Sequence, residues 1–180
     1  MICTGFGLFC GPRSCGQEPG PTEYQLKAAF LFNFAKFVEW PASSFASPQG
    51  PFSICILGTD PFGPGIDETL QGQMIGGRAV TVLRVREAAQ LRRCQVAFIS
   101  ASEKGNLPRI LQTLRGANVL LVGETPGFVA AGGTIEFEMQ DNRVRFSINP
   151  DAAERAGLRV SSKLLSLATI VHDADENGKG

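Results

Sequence analysis

Apolar and polar positions along the chain change period several times, and each change marks an element. From Glu23 to Trp40 the run EYQLKAAFLFNFAKFVEW contains no Gly or Pro and stops at Pro41. That predicts a helix of about four to five turns, with Thr22 as its N-cap and Glu23 well placed for the helix dipole. At about 100° per residue, Gln25, Asn33, Lys36 and Glu39 share one narrow face, while Phe30, Leu31, Phe34, Phe37 and Val38 lie on the wide opposite one. Phe32 and Trp40 project among the polar residues. Two large aromatics there are either covered by another part of the chain or available to a partner.

A Ser/Pro/Gly-rich linker, Pro41 to Pro51, leads into FSICILG, a continuous apolar run that reads as a buried strand, then a turn and a weak helix from Gly65 to Leu70. RAVTVLRV follows as a partly alternating strand, REAAQLRRC as a short helix, QVAFIS as a buried strand, NLPRILQTLRG as a helix ended by Gly116, and NVLLVG as a fourth strand. Apolar runs alternating with helical segments predict a mainly parallel sheet covered on both faces. The period then shortens to two. Ile135, Phe137 and Met139 alternate out of a turn at Gln140-Asp141-Asn142-Arg143 with Val144, Phe146 and Ile148, an antiparallel hairpin with one buried face. Asn149-Pro150 supplies a cap and an N1 proline for DAAERA, which Gly157 ends, and Ser161 caps a last helix, SKLLSLATIVH. The fold class is therefore α/β: a three-layer sandwich with a C-terminal antiparallel hairpin and helices on both faces.

Composition narrows the function classes. With 180 residues, 43% hydrophobic and 19% charged, the chain has the length and apolar content for one folded domain, assigned to 23–173, and is too apolar for a disordered one. Residues 174–180 read as a solvated tail. Residues 1–22 read as a leader, either the remnant of an export signal without its basic start or the product of a misassigned start codon. No run of 18 apolar residues could span a bilayer, so direct membrane insertion is not expected. Seventeen basic side chains balance seventeen acidic ones, and the basic cluster Arg84, Arg86, Arg92 and Arg93 has no interleaved aromatics, which argues against nucleic acid as a partner.

Candidate chemistry is sparse. The only histidine, His172, cannot be placed beside any serine from spacing alone, and there is no G-x-S-x-G or S-x-x-K motif. The acidic residues are scattered, and Glu136 and Glu138 fall on the outer face of a predicted strand, where a solvated surface is the expectation. The Thr59 to Gly65 loop follows the first strand, where a doubly wound sheet would hold a ligand. It lacks the phosphate-binding glycine patterns, and Pro61 and Pro64 remove amide donors. A connecting loop is the simpler reading; a small-molecule site or an enzyme using that loop is the alternative. GFVAAGG, Gly127 to Gly133, suits a tight entry to the hairpin. No cofactor or metal is indicated, because the cysteines lack zinc spacing. Cys3, Cys10 and Cys15 lie in the leader, without a lipoprotein context; Cys55 and Cys94 lie in the body. In an exported protein that pair suggests a disulfide, in a cytosolic one two buried thiols.

Four stretches together resemble the YfiR family of small exported bacterial proteins: KAAFLFNFAKFVEWP (Lys27 to Pro41), ICILGTDPFG (Ile54 to Gly63), CQVAFIS (Cys94 to Ser100) and VRFSINPDAAERAGLRVSSKLLSLATIV (Val144 to Val171). The resemblance implies a periplasmic, non-catalytic repressor acting on the periplasmic region of an inner-membrane diguanylate cyclase, and so on cyclic di-GMP and biofilm. A structural role in an outer-membrane complex is a further alternative. The chain has no cysteine after Cys94, so the second disulfide of the best-known member has no counterpart. Export makes a Cys55–Cys94 disulfide the expectation, and a flavodoxin-like strand order would set the two strands side by side with their amino ends together. Phe32 and Trp40 are the expected partner-binding residues, toward a foreign protein or in a homodimer.

Overall fold

The computed structural model describes residues 22–173; residues 1–21 of the predicted leader, with Cys3, Cys10 and Cys15, and the predicted tail 174–180 lie outside the described residues. In chain order the elements are α1 (Glu23–Lys36), β1 (Val38–Glu39), β2 (Phe52–Leu57), α2 (Gly65–Leu70), β3 (Met74–Ile75), β4 (Arg78–Val85), β5 (Val96–Ile99), α3 (Leu107–Thr113), β6 (Leu120–Gly123), β7 (Ile135–Gln140), β8 (Arg143–Ile148), α4 (Pro150–Arg155), β9 (Arg159–Val160), α5 (Ser162–Leu165) and β10 (Thr169–Ile170), with 3-10 turns between several of them.

Eight strands form one sheet in the order β10-β8-β7-β6-β5-β2-β4-β3, parallel from β4 through β7 and antiparallel at β3/β4 and β7/β8. Because successive strand residues face opposite ways, β2 supplies both layers of core. Ile54 and Ile56 pack with α1, α2 and the C-terminal helices, through Leu31, Phe34, Ile66, Leu70, Ala153 and Leu164. Cys55 and Leu57 pack on the other face with α3, through Leu107, Ile110 and Leu114. The α/β sandwich with helices on both faces is thus present. The hairpin turn has both central residues left-handed, Asp141 at φ 49° and Asn142 at φ 61°, the geometry a two-residue connection requires. Its buried face is shorter than expected. Ile135, Phe137, Phe146 and Ile148 are buried, whereas Met139 is 47% exposed and the end of the arm projects past the core.

Two helices are shorter than the periodicity predicts. The first ends at Lys36, because a helix running to Pro41 would leave the Phe37 carbonyl without its donor four residues on and would clash with the proline ring. Ser161 N–H donates to that carbonyl at 2.9 Å, and Val38 and Glu39 pair antiparallel with Val160 and Arg159. The last ends at Leu165. The β-branched residues Thr169 and Ile170 join β8 in parallel, beside Ser147 and Ile148, which suits them better than a helix. Leu167, inside the predicted helix SKLLSLATIVH, is 68% exposed. REAAQLRRC is a 3-10 segment, Ala88–Arg93, with Glu87 and Gln90 closing a capping box.

The central strand is also cross-linked. Val96 stands beside Ile54 and Ala97 beside Cys55, so Cys94, at the amino end of β5, reaches Cys55. The two are joined by a disulfide with a Cα–Cα distance of 6.0 Å, and both are buried beside Leu57 and Leu91. Closing a loop with a sequence separation of 39 residues should stabilise the fold by about 4 kcal/mol in the chain-entropy model. Urea melts with and without reductant should differ by that order, with no change in the free-thiol-independent variant Cys55→Ala/Cys94→Ala on adding reductant. Equal midpoints for oxidised and reduced protein would show that the bond does not support the fold.

Candidate functional site

Three places on the molecule compete for a functional role: the carboxyl edge of the parallel strands, the outer side of α1 and the groove beside the hairpin. At the carboxyl edge the chain changes direction between β2 and β5, where open sheets of this kind bind ligands. Here that position is filled. Gly58 sits at φ +90°, and a Cβ on it would lie 2.5 Å from Ser102 Oγ and 2.9 Å from the Glu103 side chain. Ser102 Oγ accepts from Thr59 N–H at 2.9 Å. The Thr59 to Gly65 loop is tied down from within, since Asp60 accepts from Phe62 N–H and Gly63 N–H and pairs with Arg84 at 2.9 Å. Arg84 also forms a two-pronged pair with Asp67 at 2.6 and 2.8 Å and donates to the Gly63 carbonyl. Its hydrogen bonds hold the Asp67 carboxyl below the usual carboxylate range. A shallow depression of about 360 Å³ lies alongside, between Pro64, Asp67, Leu70 and Val82.

Farther along that edge stands an ionic cluster that sequence reasoning missed. Lys27 is 3% exposed, and its ammonium donates to Glu124 at 2.8 Å and meets Glu23 at 2.5 Å, while Tyr24 O–H donates to Glu124 at 3.3 Å. The ammonium also lies 4.6 Å from the centre of the Tyr24 ring, close enough for a cation–π contact. Burial disfavours the charged amine, but its hydrogen bonds to Glu124 and Glu23 outweigh that and raise its pKa. Burial, then the Glu124 charge, raises the Tyr24 phenol as well, against the pull of Lys27. The signal was there to read. Lys27 lies four and seven residues before Leu31 and Phe34, on the buried stripe of α1.

Glu136 corrects a second expectation. Rather than facing solvent it is buried, and its two carboxylate oxygens accept from Gly127 N–H at 2.9 Å and Val129 N–H at 3.1 Å. It fixes the Gly127 to Gly133 loop around the fully buried Phe128, whose ring lies so near Gly123 and Gly133 that a Cβ on either would overlap it. Glu138 is exposed, as expected, and accepts from Ser147 Oγ at 2.5 Å.

The expected partner-binding aromatics are near each other in sequence and differ in setting. Trp40 follows the end of α1. Its ring meets Phe52 edge to face at 5.0 Å and its indole N–H donates to the Gln95 carbonyl at 3.1 Å, so its polar tip is spent inside the molecule. Phe32 is partly buried, with the Lys36 ammonium 5.3 Å from its ring centre. Both rings pack against the core from its margin. The third place, a groove of about 430 Å³, runs between the hairpin and the segment after α5, lined by Phe30, Val144, Phe146, Leu167 and Ala168 with Arg145. Among the described residues no cluster of three or more His, Cys, Asp or Glu could hold a metal ion, and no helix is long and apolar enough to cross a membrane.

The ionic cluster sets an alkaline limit. Groups whose pKa is raised on folding stabilise the protein below their unfolded values, here 10.0 for Tyr24 and 10.5 for Lys27, and that contribution is lost as pH rises through the folded values. Denaturant melts should show stability falling above pH 10, with a shallower fall in Tyr24→Phe. Lys27→Ala should cost about 3 kcal/mol at neutral pH by stranding Glu124, and Glu124→Gln in the same chain should recover part of it. An additive double variant would show that the two groups are not coupled.

Comparison with known proteins gives the arrangement a family. A family model described as YfiR/HmsC-like matches residues 24–169. Among solved structures, a conserved domain protein from Vibrio cholerae O1 biovar El Tor superposes with a TM-score of 0.53 at 11% identity, over 82% of this chain and 60% of that one. An ABC domain in complex with L-Trp from Streptococcus pneumoniae superposes with a TM-score of 0.48 at 9% identity, over 67% of this chain and 55% of that one. The chain therefore spans little more than half the length of either structure, and these likenesses concern the fold. With the family model covering nearly all of α1 to β10, the chain belongs to the YfiR/HmsC-like family.

Proposed function

We propose that this chain is a non-catalytic periplasmic regulatory protein that represses a membrane diguanylate cyclase by binding the enzyme's periplasmic sensor region, and so lowers cyclic di-GMP and biofilm matrix production. The observation that carries this reading is the family match over 24–169, since the family implies periplasmic regulation of diguanylate cyclases. The buried disulfide suits an oxidising compartment. The chemistry of the carboxyl edge points the same way. There Asp60 and Asp67 pair with Arg84, Glu124 pairs with Lys27, and Glu136 accepts from the amides of the Gly127 to Gly133 loop, so these charges hold structure, which agrees with action by contact.

Phe32 and Trp40 are the proposed contact residues on the α1 side, toward the cyclase or toward a second copy in a homodimer. Phe32 carries the sharper expectation, because Trp40 also holds the fold. Truncating an aromatic anchor commonly costs about 2 kcal/mol of binding, so Phe32→Ala should weaken association while lowering the melting temperature less than Trp40→Ala does, since its ring is only partly buried. Trp40→Ala should lower both, losing its stack on Phe52 and its bond to Gln95.

Deleting the gene should raise cyclic di-GMP in the host, and restoring it with Phe32→Ala should only partly lower the level again. Purified protein should leave GTP and cyclic di-GMP intact over hours of incubation, read by chromatography. Unchanged cyclic di-GMP and unchanged matrix in the deletion strain would overturn the repressor reading, and consumption of either nucleotide would overturn the non-catalytic one.

A further inference from the structure

The phase of the β7/β8 ladder determines which backbone groups of β8 face outward. Asn149 N–H donates to Thr134 O at 2.9 Å, and the register pairs Gln140 with Arg143, Glu138 with Arg145 and Glu136 with Ser147. Those are the mutually bonded pairs of an antiparallel ladder, so Val144, Phe146 and Ile148 direct their N–H and C=O away from β7. Strand β10 takes only the far end of that outer edge. It pairs at Ser147 and Ile148, Val171 N–H donates to Ile148 O, and the chain then runs on to Asp173, which is held by Asn149, Asp151 and Arg155. Before Thr169 the chain turns off the edge, Leu167 N–H and Ala168 N–H donating back to Leu164 and Leu165. Among the described residues, no strand covers β8 at Val144.

The side chains around this open stretch separate by face. Val144 and Phe146 point to the α1 face, where with Phe30 and Leu167 they line the groove of about 430 Å³. Met139, opposite Val144, and Leu167 are 47% and 68% exposed, so the apolar surface continues past the groove on both sides. Arg143 and Arg145 alternate to the other face, Arg145 also bordering the groove where it opens at the strand edge. Both are exposed and make no ion pair within 4.0 Å with another described residue, and Glu138, directly opposite Arg145, turns a carboxylate oxygen to Ser147. At the opposite edge of the sheet β4 is also open beyond β3, but the arginine beside its depression, Arg84, is already paired with Asp60 and Asp67.

We propose that the outer edge of β8 at Val144 is a strand-addition site for an extended segment of a partner protein in which carboxylates alternate with apolar side chains. The N–H and C=O of Val144 and the N–H of Phe146 would hold such a strand, the Phe146 carbonyl being taken by β10 through the Thr169 and Ser147 pairing; its apolar residues would enter the groove, and its carboxylates would meet Arg143 and Arg145. A second copy of β8 fits poorly. Residues directly opposite in a sheet share a face, so antiparallel self-pairing centred on the stretch that β10 leaves open sets arginine against arginine, Arg143 on Arg145 or Arg145 on itself, and like charges directly opposite are unfavourable. The complement already exists within the chain, because β7 is IEFEMQ, with Glu138 opposite Arg145 and Met139 opposite Val144. This inference rests on the reading of the chain as a binding protein and adds the surface and the chemistry of what it binds.

The test uses the full chain and a fluorescein-labelled peptide with the β7 sequence, Thr134 to Gln140. Anisotropy should rise to saturation with added protein, and the peptide carrying Glu136→Lys and Glu138→Lys should bind about tenfold more weakly or worse. The protein variant Arg143→Glu/Arg145→Glu, altered only at exposed side chains, should reverse that preference. Val144→Pro removes an outward N–H, which an edge position tolerates, and alters one partly buried groove side chain; it should abolish binding of the acidic peptide while the protein still melts cooperatively. No saturable binding, equal affinity for the two peptides, or a preference unmoved by the charge reversal would overturn the proposal. A dimer in sedimentation that Val144→Pro dissociates would also overturn it, assigning the edge to a second copy. Raised cyclic di-GMP in the deletion strain together with failed peptide binding would sink this inference alone and leave the repressor reading standing.

Discussion

The buried amide of Gln95 is the contact on which the placement of α1 and the linker after it over the sheet depends. It sits at the amino ends of β2, β5 and β6, where three parallel strands start inside the protein and water cannot satisfy their first polar groups. Gln95 supplies the partners. Its main chain donates to Ser53 O and accepts from Leu120 N–H, its side-chain oxygen accepts from Ser53 N–H at 2.8 Å, and its side-chain nitrogen donates to Ser44 O at 2.6 Å. The bond from Trp40 to the same carbonyl then fixes the chain between α1 and β2 over the strand ends. Next door, Cys94 ties the same corner to the centre of β2 from the other face. One residue pair thereby anchors the sheet, the linker and the end of α1 together.

With α1 held at that end by Trp40 and at the other by the Lys27 cluster, its aromatic side is pressed onto the sheet. Phe34 contacts Phe137 and Phe146 at ring separations of 5.6 and 4.9 Å, and Phe30 lies beside the same two rings. The hairpin is thus gripped by α1 at its base and free at its tip. Rigid burial at one end and exposed apolar surface at the other is an arrangement suited to recognition, because the recognising segment is presented by a fixed support and loses little conformational freedom on binding. The same support leaves few groups for chemistry, since the buried charges Lys27 and Glu136 are committed to structural partners.

Much of this was legible in the sequence, and the parts that were not share a cause. Strands β2, β4 and β7, helix α2 and the caps at Thr22, Asn149 and Ser161 could be read because each depends on local pattern: an apolar run, an alternation, a side chain that reaches its own backbone. The ends of α1 and α5 could not. Val38 and Thr169 leave helical conformation for partners at Val160 and Ser147, which are over a hundred and some twenty residues away respectively, and local periodicity contains no trace of such pairing. Glu136 was misread for a related reason. Alternation places it correctly on the face opposite Ile135 and Phe137, but that face is covered there by the Gly127 to Gly133 loop, whose amides need an acceptor. Lys27 is different: its position on the apolar stripe was visible, and what the pattern lacked was Glu124, nearly a hundred residues on. The stretches Lys27 to Pro41 and Val144 to Val171, which carry much of the family resemblance, fall within the matched residues 24–169 but for Ile170 and Val171, and meet in one core around Phe34, Phe146 and Ile148.

The two edges of the sheet differ in how they are protected against indiscriminate pairing. An open strand offers its amides to any chain, and proteins limit the hazard with short end strands, charges and bulges. Both ends here are two-residue strands, β3 and β10, that cover part of a longer neighbour. Beyond β3 the neighbouring depression is bordered by Asp67, which Arg84 neutralises in place. Beyond β10 the arginines of β8 have no such partner among the described residues, so the charge that repels another copy of this strand persists as a charge that an acidic strand could answer. On the proposed reading of that edge, protection against self-association and selectivity for an acidic partner strand would come from the same two side chains, Arg143 and Arg145.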